Sequence, residues 1–145
     1  MPAPRTTAPP SLPLVVVVVA VGGALGAVLR VAVGEALPAS PHEFPWPTLG
    51  VNVGGSALLA LLPAVDAVRR RPLLPPLLGT GVIGGFTTLS GWAQETHDLV
   101  DAGRPASAAV YALGTLVACL VAVALVDRLS TPAERATFDA EEGDL

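Results

Sequence analysis

Four apolar stretches, each about as long as a membrane-spanning helix, dominate the pattern of this chain. They cover residues 14–33, 48–68, 73–99 and 106–126. Because about 20 helical residues cross the hydrocarbon core of a bilayer, the pattern predicts an all-α membrane protein with four transmembrane helices. The predicted channel-forming domain is residues 14–126, and the flanking residues 1–13 and 127–145 are predicted to be disordered tails, the second of them acidic.

The third stretch contains the run Gly84-Gly85-Phe86-Thr87-Thr88, which we predict to break the helix in the middle of the membrane. Residues 73–94 carry no charge around this break. A freed backbone N–H or C=O costs several kcal/mol in lipid, so such breaks are tolerated only where the freed groups line a cavity or hold an ion. The break therefore predicts ion binding or permeation.

Composition agrees with a membrane protein and narrows its function. The chain is 52% hydrophobic, and only 14% of its residues are charged, against about 25% in soluble domains. The single cysteine excludes an intrachain disulfide. No pairing of nucleophile and base is present, so we predict that the chain is not an enzyme, and nothing resembles a nucleic-acid-binding surface.

Arginines are unevenly divided between the two sides that four spans would create. The side of the termini and the second loop has six, and the other side has two, Arg30 and Arg104. Positive charge favours the cytoplasmic side. We therefore predict one fixed orientation in the cell (inner) membrane, with both termini in the cytoplasm.

Two polar residues lie within the first two spans. Arg30 could extend to the membrane interface, attract an anion, or fix the first helix near a pore mouth. Asn52 could form a hydrogen bond between helices or donate to a permeating ion. Thr48 lies one turn before Asn52 on the same face.

The other candidate residues follow the break. Thr87, Thr88 and Ser90 bring three hydroxyls within four residues, which could reach backbone carbonyls or an ion. Further on, side chains at helical spacing form two pairs that each share a face: Trp92 with Glu95, and Tyr111 with Thr115. Glycines four apart predict close helix packing at three places, at residues 22 and 26, 50 and 54, and 81 and 85.

Together these segments resemble the fluoride channel family (Fluc, also called CrcB). The matching segments are residues 22–30 (GGALGAVLR), 48–52 (TLGVN) and 84–90 (GGFTTLS), with Glu95 behind them. Their order and spacing agree with the family over about residues 20–126. The resemblance implies an antiparallel dimer of four-helix subunits with two fluoride pores.

The resemblance also implies roles for individual residues. A structural sodium ion would be held by the backbone carbonyls of Gly84 and Thr87. Asn52 matches the family's pore asparagine, Thr48 its vestibule threonine and Arg30 its first-helix arginine. Four further residues would lie near its polar track: Thr88, Ser90, Tyr111 and Thr115.

The chain departs from the family at Leu89 and Trp92, where the family has phenylalanines that contact the anion. Leucine has no aromatic quadrupole, whereas tryptophan could offer a ring edge or an indole N–H. An antiparallel homodimer also needs a chain that inserts both ways, which six arginines against two do not favour. We therefore hypothesise a heterodimer with a paralogous subunit of opposite orientation, while a dimer with a second copy stays open.

The expected function is passive, selective fluoride efflux that lowers cytoplasmic fluoride. One alternative is a small multidrug-type four-helix exporter, which needs an acidic residue deep in its first helix. Residues 14–33 contain none. The other alternative is a non-conducting assembly subunit, which would be favoured if the pore residues proved dispensable.

Overall fold

A computed structural model describes residues 10–38 and 43–129. Every regular secondary-structure element among these residues is helical. The long helices are α1 (Leu12–Ala36), α2 (Trp46–Leu61), α5 (Leu89–Asp101) and α6 (Pro105–Leu129), and the short ones are α3 (Asp66–Arg69) and α4 (Gly84–Phe86). A 3-10 turn, Leu62–Ala64, follows α2, and a π-helix, Pro76–Ile83, runs directly into α4. The predicted all-α class is confirmed.

Within the described residues, three helical segments are long and apolar enough to cross a membrane: Leu12–Ala36, Trp46–Ala64 and Pro105–Arg128. Only 11% of the residues in each apolar window are buried, so their apolar side chains face outward. The second segment ends before the predicted residue 68, because Pro63 cannot continue an α-helix and the chain tightens into a 3-10 turn. The third predicted stretch forms no single long helix, so the count of four spans stays a prediction.

The first and last helices extend beyond the predicted domain bounds of residues 14 and 126, so both predicted tails are too long. Helix α1 starts at Leu12. Pro13 is tolerated in its first turn because the backbone N–H groups there have no acceptor within the helix, so the missing N–H of proline breaks no hydrogen bond. Helix α6 continues to Leu129, with Arg128 favourably placed in its last turn. The remaining tail residues, 1–9 and 130–145, lie outside the described residues, as do Arg5 and Arg135.

Helix α1 packs against the π-helix and α4 through backbone rather than side chains. A Cβ atom on Gly26 would overlap the carbonyl oxygen of Val82, and one on Gly85 would overlap that of Gly23. Two of the three predicted glycine pairs therefore meet within the chain. The third pair, Gly50 and Gly54, has nothing within 4 Å of where its Cβ atoms would lie.

The other half of the molecule packs through side chains. Leu99, Ala108 and Tyr111 form a buried cluster between α5 and α6, with Phe44, Leu49 and Trp92 packed against it. The ring of Phe44 meets that of Tyr111 edge to face, with centroids 5.4 Å apart. This cluster brings the start of α2 beside α5 and α6.

Candidate functional site: a helix break beside a cavity

The break consists of two residues, Thr87 and Thr88, that lie between α4 and α5 in extended conformations. Thr87 has φ −73° and ψ 158°, and Thr88 has φ −147° and ψ 113°. Gly84, Gly85 and Phe86, which the sequence placed within the break, stay helical. They do so because the N–H of Thr87 still donates to the Ile83 carbonyl (2.9 Å) and closes the last turn.

Asn52 on α2 binds the backbone of Thr88 on both sides. Its Oδ1 accepts from the Thr88 N–H (2.8 Å), and its Nδ2 donates to the Thr88 carbonyl (3.1 Å). In an unbroken α-helix the Thr88 N–H would donate to the Gly84 carbonyl, four residues earlier. The Gly84 carbonyl therefore loses its helical donor.

A second backbone N–H, that of Gly91, is also captured by a side chain, here that of Thr88. Its hydroxyl oxygen caps α5 by accepting from the Gly91 N–H (2.9 Å), and it lies 3.3 Å from the Ser90 hydroxyl. The Gly91 N–H would otherwise reach the Thr87 carbonyl. The two carbonyls that the resemblance assigns to sodium are thus the two whose helical donors are diverted to side chains.

Arg30 also reaches the backbone beside the break. Its Nε donates to the Gly85 carbonyl at 3.3 Å, which places a positive charge near the carbonyl end of α4. The interpretations of Arg30 from the sequence did not identify Gly85 as its partner. The signal was weak, because the two residues are 55 positions apart.

Glu95 joins three elements in a second polar group. Its Oε1 accepts from the Thr48 hydroxyl, and its Oε2 accepts from the Tyr111 hydroxyl, both at 2.6 Å. The predicted pairing of Tyr111 with Thr115 takes another form, since the Thr115 hydroxyl donates to the Tyr111 backbone carbonyl (2.7 Å). Hydroxyls often bond back into their own helix in this way, so Thr115 contributes no free hydroxyl proton.

An open cavity of about 550 Å³ lies beside the break, between α2, the π-helix and α6. Seven of the predicted site residues line it: Asn52, Gly84, Thr87, Thr88, Leu89, Trp92 and Thr115. The other five, Arg30, Thr48, Ser90, Glu95 and Tyr111, lie outside its lining. No site role was predicted for three polar residues of the lining: Ser56, Thr80 and Cys119.

Leu89 and Trp92 differ sharply in exposure. The Leu89 side chain is 77% exposed. Trp92 packs against the Tyr111 cluster, and its indole Nε1 is buried with no hydrogen-bond partner among the described residues. A buried N–H without a partner costs about 1–3 kcal/mol. Trp92 therefore holds an unused donor at the edge of the cavity.

Comparison with known proteins places these features in a family. A family model described as "CrcB-like protein, Camphor Resistance (CrcB)" matches residues 17–126. The chain is 49% identical over 109 residues to fluoride-specific ion channel FluC 1 of Halobacterium salinarum, covering 75% of this chain and 87% of that protein. It is 43% identical over 104 residues to FluC 2 of Streptomyces avermitilis (70% and 66%) and 43% identical over 105 residues to FluC of Paracoccus denitrificans (72% and 85%).

Proposed function

Since the chain belongs to the CrcB family, we propose that it is a subunit of a fluoride-selective channel. Similar proteins carry the name fluoride-specific ion channel, which describes transport rather than catalysis. The observation that carries the proposal is the helix break at Thr87 and Thr88, which lines a cavity between apolar helices. Backbone is left irregular at such a place where it serves an ion.

Fluoride would cross passively, down its electrochemical gradient, so that the cytoplasmic fluoride concentration falls. Weak donors must replace the water that the ion sheds without trapping it. Asn52 has a second amide hydrogen beyond the one that binds Thr88. The hydroxyls of Thr88 and Ser90 carry one hydrogen each, of which one serves the 3.3 Å contact between them and the other can be donated. These three side chains are the proposed donors.

The π-helix, α4 and α5 together would form the third of four crossings. Residues 76–101 would span about 39 Å at the rise of an α-helix, which exceeds the hydrocarbon thickness of about 30 Å. The interruption at Thr87 and Thr88 would then lie within the membrane. The chain would be a multi-pass protein of the cell (inner) membrane with both termini in the cytoplasm, as the arginine distribution favours.

The working unit would be an antiparallel dimer. Gly50 and Gly54 leave room on α2 for close approach of another helix. Gly84 is exposed although its carbonyl has lost its helical donor, a combination suited to contact with a second subunit. The six-to-two arginine count favours a paralogue of opposite orientation over a second copy, and several relatives bear names numbered 1 or 2.

A structural sodium ion would bind the carbonyls of Gly84 and Thr87. The donor set fits, because both carbonyls have lost their helical N–H partners, and a hard cation prefers oxygen ligands. Two carbonyls form only part of a coordination shell, so the opposing subunit would supply the rest. The ion would supply fixed positive charge and hold the subunits together, without being transported.

Fluoride efflux from liposomes, followed with a fluoride electrode, tests the proposal. Efflux from this chain alone would establish a conducting homodimer. Efflux only after co-expression with a paralogue would establish a heterodimer. Folded protein that conducts in neither preparation would contradict the channel function.

A non-conducting assembly subunit is the second candidate. Leu89, exposed at a position where the family has an aromatic ring, favours it. Alanine at Asn52, Thr88 and Ser90, introduced together into a conducting heterodimer, separates the two functions. Unchanged efflux would favour the assembly role, and lost efflux would favour the conducting role.

A further inference from the structure

We infer that Asn52 is a positioning residue that keeps the Gly84 carbonyl free to bind the structural cation. This inference rests on the cation site of the proposed function. It assigns Asn52 a task distinct from donating to fluoride. The task is to capture the backbone N–H that would otherwise occupy one of the cation's ligands.

The argument begins with competition for the Thr88 N–H. Two acceptors are available to it, the Gly84 carbonyl in a continuous helix and the Asn52 Oδ1 in the structure, where the bond is 2.8 Å long. If the helix took this N–H, the Gly84 oxygen would be hydrogen-bonded and a poorer cation ligand. Capture by Asn52 therefore maintains the break and frees the ligand together.

An asparagine suits this position because its amide carries an acceptor and two donor hydrogens on one planar group. The Nδ2 bond to the Thr88 carbonyl (3.1 Å) completes a two-point contact with one residue. Aspartate would keep the acceptor but lose the donor. Alanine would lose both, which predicts a graded series of variants.

Gly55 brings Asn52 within reach of the break. A Cβ atom on Gly55 would overlap the Cγ2 of Thr87, so α2 approaches this closely only because residue 55 has no side chain. Alanine at 55 should push α2 away and lengthen the Asn52 bonds without changing Asn52. Gly114 on α6, with no described atom within 4 Å of its Cβ position, provides a matched control.

The test measures the sodium dependence of thermal stability in detergent, with N-methylglucamine replacing sodium at constant ionic strength. Asn52→Ala should raise the sodium concentration for half-maximal stabilisation about tenfold, the effect of losing one or two net hydrogen bonds. Asn52→Asp should lie closer to wild type. Gly55→Ala should raise the midpoint, whereas Gly114→Ala should leave it unchanged.

Fluoride efflux at several sodium concentrations separates positioning from direct donation. Positioning predicts that Asn52→Ala regains part of its efflux as sodium rises, while the part that depends on the lost fluoride donor stays absent. An unchanged sodium midpoint in Asn52→Ala, with efflux low at every sodium concentration, would show that Asn52 only donates to fluoride and would overturn the inference. If Asn52→Ala does not fold, Asn52→Leu decides, because leucine fills a similar space but can neither accept from nor donate to the Thr88 backbone, and a wild-type sodium midpoint in that variant would overturn the inference.

The wild-type protein distinguishes failure of the inference from failure of the channel proposal. Efflux without any stabilisation by sodium would overturn the inference and leave the channel. Stabilisation by sodium without efflux would contradict the channel, and the variants would still decide the role of Asn52.

Discussion

The break and the Glu95 group solve the same problem, polar atoms among apolar helices, in opposite ways. At the break, side chains from α1 and α2 bond to the backbone, as Arg30 does to Gly85 and Asn52 does to Thr88. Around Glu95, side chains bond to side chains. The hydrogen bonds at the break therefore depend on the position of backbone groups, whereas those of the Glu95 group depend on the identity of its side chains.

Of the variants considered, Gly26→Ala at the backbone contact between α1 and the π-helix should destabilise the protein most. Gly26→Ala would force a Cβ into the Val82 carbonyl and separate α1 from the π-helix. We expect a loss of about 3 kcal/mol or more in the free energy of unfolding, at or beyond the upper end for overpacking, because neither backbone can yield easily. Denaturation in detergent would measure it.

The matched control for Gly26→Ala is Gly34→Ala. Gly34 lies on the same helix with nothing within 4 Å, and alanine is favoured over glycine in helices by about 0.5–1 kcal/mol. Equal effects of the two substitutions would contradict the close backbone contact.

Glu95→Ala, which disrupts the hydrogen bonds of the Glu95 group, should have the second largest effect on stability. Glu95→Ala would remove two charge-assisted hydrogen bonds and leave the hydroxyls of Thr48 and Tyr111 without this partner. We expect a loss of about 2–4 kcal/mol in the free energy of unfolding, less than the full sum of two bonds worth about 1.5–3 kcal/mol each, because the two hydroxyls share one carboxylate and do not act independently. Gln94→Ala, at an exposed neighbour bonded only to Asp98 in the structure, should change stability by less than about 0.5 kcal/mol. Similar losses in the two variants would show that Glu95 does not hold its group together.

Trp92 lies between the break and the Glu95 group, and Trp92→Phe tests whether its indole N–H has a function. The change removes a buried indole N–H that has no partner among the described residues, and introduces the phenylalanine that the sequence resemblance implies for this position. We expect stability to stay the same or rise by about 1 kcal/mol, with fluoride efflux at least equal to wild type. Lower efflux with unchanged stability would instead show that the indole N–H serves the ion.

The smallest expected effect measures coupling across Glu95. Thr48→Ala and Tyr111→Phe each remove one hydroxyl from the same carboxylate. A double-mutant cycle should give a coupling of about 0.5–1 kcal/mol, since the two hydroxyls share one acceptor group. Additive losses would mean that each hydroxyl binds Glu95 independently.

Much of the helical frame was predictable, because long apolar stretches such as those of α1 and α6 need only length and composition to identify. That a third membrane-spanning helix is broken here stays a prediction, whereas the observed interruption between α4 and α5 lies within a few residues of Gly84-Gly85 and the following threonines. Its true extent, two residues, depends on the Thr87 N–H closing one more turn, which no residue pattern reports.

The contacts across the site could not be predicted from spacing. Asn52 and Thr88 are 36 positions apart, and Thr48 and Glu95 are 47 apart, so helical periodicity relates neither pair. Asn52 was identified from the sequence as a polar residue in an apolar span. That its amide faces backbone follows only from how closely Gly55 lets α2 approach the break.

The most direct test of the channel function compares fluoride with chloride efflux from the same liposomes, with the paralogous subunit present where one is required. Rapid fluoride efflux with chloride retained, abolished when Asn52, Thr88 and Ser90 are all changed to alanine in a protein that still folds, is the predicted result. Equal efflux of both anions, or no fluoride efflux from folded protein in either preparation, would contradict it.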